Sequence, residues 1–487
     1  GIGGIGMKRL KFALILLMCL FAALPAHGEQ VREPGSYQYS PYGEPVTAVP
    51  AYTLKRSFYA ADLPGARSLS NLRDAHVAGD RIYVLRDEEL IILTSGFRVL
   101  KSISAYTDAQ GNEVKLTGAS GVTVDRNGGI YVSRADAGEI LHFEPDGNLL
   151  RVIGRPDIKG FENVAYKPIK LAVDDAMRIY VVAQGMYEGM VELNPDGSFS
   201  RFFGVNKVTF SFAQYIWRIF ATREQLQRQQ LWLPTDFTNI AIDDRGFIYA
   251  TIQDEKGQII KRLNAKGENI LRVVDAPDPN GDLWFNESGV GIPVGPSVFI
   301  AVDTNPYGVF ICLDQKRSRV FGYNEDGRLL YIIGGPGQRE GQFRNPVDAD
   351  FVGDDIMVLD ALSQSIDLYS PTAYGRAIHD AVRHQYTFDY DQASTFWREA
   401  LAYNHNVTLA YSGIGRSLLR AGQYDEAMEY LKMGEDREYY SKAFEKVRNR
   451  DLKEWFVPGM IALIALIILS KTVKYIRKRR KEKEGVA

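Results

Sequence analysis

The sequence predicts a mainly β fold: a six-bladed β-propeller, followed by a small α-helical segment and one transmembrane helix. Three observations predict it. A β-rich triplet recurs six times, as Ile82-Tyr83-Val84, Ile130-Tyr131-Val132, Ile179-Tyr180-Val181, Ile248-Tyr249-Ala250, Val309-Phe310-Ile311 and Ile356-Met357-Val358. After Pro371 the apolar period changes from two to the helical one. Near the C-terminus, Trp455 to Val473 forms an apolar run of 19 residues.

The chain has 487 residues, enough for two or three domains. Gly1 to Gly6 precede Met7 and read as a mis-set start or an added segment. Residues 7–28 read as a signal peptide. Lys8, Arg9 and Lys11 are its basic region, Phe12 to Leu24 its 13-residue apolar region, and Ala26-His27-Gly28 its cleavage site. The apolar region is too short to span a bilayer comfortably. Residues 29–50, rich in Tyr, Pro and Gly, read as an extended leader.

Residues 51–370 form the propeller. Successive triplets lie 48, 49, 69, 61 and 47 residues apart, so three spacings are nearly constant and two carry insertions. Five triplets have a Gly turn downstream: Ser95-Gly96, Asp146-Gly147, Asp196-Gly197, Lys266-Gly267 and Asp326-Gly327. In the second unit, Gly121–Asp125, Ile130–Ser133, Ile140–Glu144 and Leu149–Ile153 read as four strands divided by Gly and Asp turns. Four strands per unit and six units make a propeller. The sixth unit is one strand short, and residues 51–59 are expected to supply the missing strand and close the ring. Asp125, Asp174, Asp243 and Asp303 follow the first strands and are expected to form Asx turns.

The units resemble NHL-type repeats, whose outline is Pro-x-x-Ile-Ala-Val-Asp, a Gly turn, Ile-Tyr-Val, then a strand and an Asp-Gly turn. The stretch Gly337 to Pro346 is similar to that family's linker into a blade. The resemblance covers about 70 to 370 and implies the fold, while propellers host many functions.

The two long spacings mark insertions at 208–234 and 277–296. In the first, Phe212, Tyr215, Ile216, Ile219 and Phe220 recur at helical spacing and suggest a helix that either packs on the propeller or forms a partner-docking or membrane-facing lid. The second carries Trp284 and Phe285 and reads as a long loop over one face. The candidate partner surface is Phe212, Tyr215, Ile216, Trp217, Phe220, Trp284 and Phe285.

Residues 374–454 read as helical repeats with a capping helix. Phe388 to Ala393 aligns with Gly422 to Ala427 at a separation of 34, and Ala400 aligns with Gly434. This is similar to two tetratricopeptide repeats, the first helix of the first being degenerate. Two such units are few for independent stability, so they are expected to pack on the propeller.

Residues 455–473 form the transmembrane helix, about 28 Å long at about 1.5 Å per residue. Pro458 falls in its first turn, where a missing N–H costs little. Arg477-Lys478-Arg479-Arg480-Lys481 lies in the tail 474–487 and holds the C-terminus in the cytoplasm. The expected location is a single-pass plasma-membrane protein with its N-terminal part outside the cell.

Of 58 basic and 60 acidic residues, the signal holds 3 basic and the segment from Lys471 holds 8 basic and 2 acidic. This leaves 47 against 58, a net charge of −11 outside. Such a balance argues against nucleic acid. Cys312 is the one cysteine left after the signal, so no disulfide forms within the chain.

Chemistry is sparse. There is no Gly-x-Ser-x-Gly elbow, phosphate loop or Cys-x-x-Cys. Only His76 and His142 of the six histidines lie in the propeller, so a His-rich metal centre is unsupported. The candidate binding residues at the channel mouth are Arg73, Asp74, Lys170, Asn239 and Asp348, which open their first strands. A plugged polar channel makes the chain a binding scaffold for protein partners, without a cofactor. The alternative is a lactonase- or lyase-type enzyme for a small polar metabolite, with Ca²⁺ at that mouth. The whole arrangement resembles propeller-plus-tetratricopeptide surface proteins of Gram-positive bacteria, which implies protein partners in transport or envelope complexes.

Overall fold

A computed structural model describes residues 36–40, 43–108, 110–159, 164–186, 188–204, 236–253, 259–271, 281–282 and 295–484. The signal segment and the aromatic residues of both insertions lie outside the described residues.

The β part is a six-bladed propeller of antiparallel sheets. Blade 1 runs Leu72–Ala78, Arg81–Arg86, Glu89–Thr94 and Val99–Ile103. Blade 2 runs Ala119–Val124, Ile130–Arg134, Glu139–Phe143 and Leu149–Ile153. Blade 3 runs Lys167–Val173, Ile179–Gln184, Met190–Leu193 and Phe199–Phe203. Blade 5 runs Phe299–Thr304, Val309–Asp314, Arg319–Asn324 and Leu329–Ile333. Blade 4 shows three strands among the described residues, Phe237–Ile242, Ile248–Ile252 and Ile260–Leu263. Its expected fourth appears only as a bridge between Leu263 and Asn269.

Blade 6 takes Pro346–Val352, Asp355–Asp360 and Ser365–Pro371 from the end of the propeller sequence and Tyr52–Phe58 from its beginning. The expected borrowed strand therefore exists. Tyr52 pairs with Pro371 and Phe58 with Ile366, so the chain's two ends close one sheet.

Each second strand buries its triplet, and successive blades share apolar clusters. The Gly turns dock as well as turn. A Cβ on Gly147 (φ +83°) would lie 2.6 Å from Ile103 of blade 1, and one on Gly197 (φ +90°) 2.8 Å from Ile153 of blade 2. Beside these turns, Lys101, Arg151 and Arg201 each donate to a backbone carbonyl of the following blade: Asp146, Pro195 and Ala265.

The residues expected as an extended leader include a hairpin, Tyr37–Tyr39 with Pro45–Thr47, turning through Gly43. Tyr37 lies against Arg319 of blade 5, with its ring centroid 4.9 Å from the guanidinium. Gln38 donates to the Asn406 carbonyl at 3.1 Å and accepts from Asn404 at 2.9 Å.

Five helices follow: α1 (Ala373–Tyr386), α2 (Tyr390–Tyr403), α3 (Thr408–Arg420), α4 (Tyr424–Met433) and α5 (Arg437–Glu484). Neighbours pack closely through small residues. A Cβ on Gly434 would lie 2.4 Å from the Ser412 backbone, and one on Gly415 2.5 Å from Leu431. α1 departs from the repeat pattern because its apolar face serves the propeller. Tyr374, Ile378 and Val382 join one core with Tyr52, Tyr331 and Phe351. His379 sits between the hydroxyls of Tyr52 (2.9 Å) and Tyr331 (3.0 Å), and burial holds its pKa down at about 4.

α5 corrects one expectation. It runs unbroken from Asp436, whose carboxylate accepts from the Tyr439 N–H, through the apolar segment. Pro458 therefore lies in the helix interior instead of a first turn, and it withdraws one N–H from the ladder.

Removing residues 51–58 takes the buried Tyr52 and Phe58 from blade 6. The thermal midpoint is expected to fall by about 10 °C or more. An unchanged midpoint in a thermal melt contradicts the closure.

Candidate functional site

The site is the central channel, lined by the six first strands standing side by side. Each carries a β-bulge near its start, between Leu72 and Asp74, Ala119 and Gly121, Pro168 and Lys170, Phe237 and Asn239, Phe299 and Ala301, and Pro346 and Asp348. A bulge re-aims the side chains beside it. The residues just past the bulge are Asp74, Gly121, Lys170, Asn239, Ala301 and Asp348. Two positions on, on the same face, follow His76, Thr123, Ala172, Ala241, Asp303 and Asp350.

Four of the five candidate mouth residues therefore occupy equivalent positions, and the structure ties them between blades. Asp348 of blade 6 accepts from the Ala75 N–H of blade 1 at 2.6 Å. Asp74 of blade 1 accepts from the Val122 N–H of blade 2 at 2.7 Å. Asn239 of blade 4 donates to the Ile300 carbonyl of blade 5 at 2.9 Å. Lys170 reaches from blade 3 past blade 2 to Asp74. Blade 2 has Gly121 at that level, and a Cβ there would lie 2.5 Å from the Ile169 carbonyl. The hydroxyls of Ser120 and Thr238, inside two bulges, add bonds to the carbonyls of Pro168 (3.0 Å) and Phe299 (2.7 Å).

Arg73 is not brought together with the others. It occupies a bulge, its side chain is 54% exposed, and it pairs with Asp87 at 3.3 Å.

The recurring Asp residues divide. Asp125, Asp174 and Asp243 each accept two backbone N–H bonds within their own turns, as expected. Asp303 does not. In blade 5 the turn is made by Asn305, which accepts from Tyr307 and Val309. The register pairs Ile311 with Asp303, where blade 2 pairs Tyr131 with Thr123. The true counterpart of Ile130-Tyr131-Val132 is thus Phe310-Ile311-Cys312, and Asp303 faces the channel. There it accepts from the Phe351 N–H of blade 6 at 2.8 Å.

Sequence reasoning also passed over Asp350 and His76. The visible signal was alternation, since Asp348 and Asp350, and Asp74 and His76, share a strand face.

Four carboxyls thus face one ammonium in a buried space. Burial pushes Asp303 up to about 7, against the bonds it accepts from Phe351 and Thr304 and with a further push from Asp348. Burial also raises Asp350 well above the usual range, helped by Asp348, Asp303 and Asp74 and opposed by Lys170. For Lys170 burial works downward, but Asp348 and Asp74 outweigh it and raise the ammonium's pKa. Burial lowers His76 to about 4, against Asp348, so its imidazole is neutral at pH 7. Among the described residues, no three His, Cys, Asp or Glu are placed to hold a metal ion.

No protein-family model matches the chain. No curated protein matches it either. Among solved structures it is similar to virginiamycin B lyase from Staphylococcus aureus, at 9% identity and a TM-score of 0.41, over 66% of this chain and 100% of that one. It is also similar to a protein of unknown function from Bacteroides thetaiotaomicron, at 11% identity and a TM-score of 0.39, over 69% and 75%. The WD40 domain of Neurospora crassa Pan2 matches at 10% identity and a TM-score of 0.33, over 62% and 75%.

Because Asp303 is raised from the ordinary 3.8 to about 7, its contribution to stability is full below pH 4 and is lost as pH rises through 7. Asp303→Asn keeps an oxygen for Phe351 but cannot ionise. Its thermal midpoint is expected to exceed the parent's by about 5 °C at pH 8, with the gap narrowing at pH 5 and closing below pH 4. A gap independent of pH contradicts the assignment.

Proposed function

We propose that the chain is a membrane-anchored binding scaffold that holds a propeller and a helical module outside the cell and presents them to protein partners. One observation carries this reading. An 18-residue stretch of α5 has a mean hydropathy of 2.2, and none of it is buried against the rest of the chain. Exposed Trp455, Phe456, Ile461, Leu466 and Ile468 need a bilayer to cover them. The basic block from Arg477 to Lys481 favours a cytoplasmic C-terminus. Cleavage of residues 7–28 fits that orientation.

The channel supports the same reading. Asp74, Asp348, Lys170 and Asn239 are committed to bonds between blades, which leaves them poorly placed for turnover. The repeats are of the NHL type and the helices of the tetratricopeptide type under this proposal. The partner surface is the set of apolar insertion residues Phe212, Tyr215, Ile216, Trp217, Phe220, Trp284 and Phe285. A neighbouring transport or envelope complex is the partner class. The lactonase-type alternative keeps one supporting feature, the convergence of Asp74, Asp303, Asp348 and Asp350 on the channel.

Deleting residues 455–473 is expected to move the protein from the membrane fraction to the soluble one. Retention in membranes contradicts the anchor. Crosslinking the full chain in its native membrane is expected to recover a reproducible protein partner, and replacing Phe212, Tyr215 and Trp217 with Ala is expected to lower that yield at least about tenfold. Hydrolysis across a lactone panel, with no partner recovered, favours the enzyme instead.

A further inference from the structure

The channel holds an acidic cluster with an unmet bond. Asp350 is 7% exposed, and its Oδ2 has no hydrogen-bond partner among the described residues. It shares a strand face with Asp348, and the carboxyls of Asp348, Asp303 and Asp74 raise its pKa. A buried carboxyl oxygen without a partner carries a free-energy cost that a bound donor would remove. At the same depth lie only small side chains in three consecutive blades, Thr123, Ala172 and Ala241, so the wall opposite the acids is recessed. His76 stands on the same level, partly buried and neutral, with a ring nitrogen able to accept.

The lining already shows what it holds. Lys170 brings a primary ammonium from blade 3 and seats it on Asp74, at the mouth level. One layer deeper, Lys170 is the cation that acts on Asp350 among the described residues. We infer that this deeper layer of the channel, formed by Asp350, Asp303 and His76, binds the ammonium head of a small primary amine. Three N–H donors on a compact cation match carboxylate oxygens and a neutral imidazole, all acceptors. Entry is from the face that carries the bulges, because α1 packs on turns at the other end of the first strands. Tyr386 lies against Gly308, and Arg383 pairs with Asp354 at 3.5 Å. The inference does not depend on the scaffold reading. Its ligand site is lined by first strands of the propeller and includes no residue of α5.

Binding should release protons, since Asp303, raised to about 7, ionises more fully beside a cation. The experiment uses the full chain in detergent at pH 7. Methylammonium chloride is titrated by calorimetry in two buffers of different ionisation enthalpy, with tetramethylammonium chloride as the control that has no N–H. Methylammonium is expected to bind with net proton release, and tetramethylammonium is not. Asp350→Asn is expected to weaken methylammonium binding at least about tenfold, the effect of losing a hydrogen bond to a charged group. Thr123→Leu, which fills the recess without touching the acids, is expected to weaken it as well. Equal responses to the two salts, or undiminished binding by a folded Asp350→Asn protein, overturns the inference. A response to CaCl₂ that exceeds the one to methylammonium overturns the ligand class.

Discussion

Contact between blades along the central axis is the constraint on which this molecule depends. First strands of neighbouring blades belong to separate sheets, so no backbone ladder joins them. Their buried N–H and C=O groups nonetheless require partners. The chain meets this need with side chains just past a bulge. Asp74, Asp348 and Asp303 accept from the next blade, and Asn239 donates to it. Charges buried this way are costly alone, and Lys170 offsets part of that cost. The same arrangement leaves more acids than cations on the axis. Asp303 belongs to both, bonding blade 5 to blade 6 and lining the inferred ligand site.

Closure makes the second demand. A ring of blades has a seam, and here the seam is a sheet shared by both ends of the propeller sequence. The helical module is built onto that seam. Thr372 donates to the Ala51 carbonyl at 2.9 Å and caps α1 through the Gly375 N–H at 3.1 Å. A Cβ on Gly375 would stand 2.0 Å from that same carbonyl. Two helix pairs that bury too little alone thereby share a core with blades 5 and 6. The leader hairpin ties the α2–α3 turn to blade 5 through Gln38 and Tyr37.

Most of this fold was legible in the sequence because each unit repeats its turn chemistry. Gly and Asx turns mark the strand ends in blades 2 and 3, and the missing strand of blade 6 pointed to residues 51–59. What escaped notice did so for physical reasons. In blade 5, Val309-Phe310-Ile311 and Phe310-Ile311-Cys312 are equally good strand triplets, so nothing local set the register. That one-residue shift put Asp303 into the wrong class. Pro458 looked harmless because the membrane segment has its own hydropathy boundary, while the helix itself begins at Arg437. Asp74, Lys170, Asn239 and Asp348 share one strand position and come together on the channel, whereas Arg73 sits inside a bulge and pairs with Asp87.

The central claim is that the axis residues hold blade to blade, and the Asp74–Lys170 pair spans two blades to do so. A double-mutant cycle with Asp74→Asn and Lys170→Met, read by chemical denaturation of the full chain in detergent, tests it most directly. Asn at 74 retains the oxygen for Val122, so the cycle isolates the link to Lys170. A coupling of about 2 kcal/mol or more is predicted, in line with a buried pair whose partners depend on each other. A coupling near zero would contradict the account.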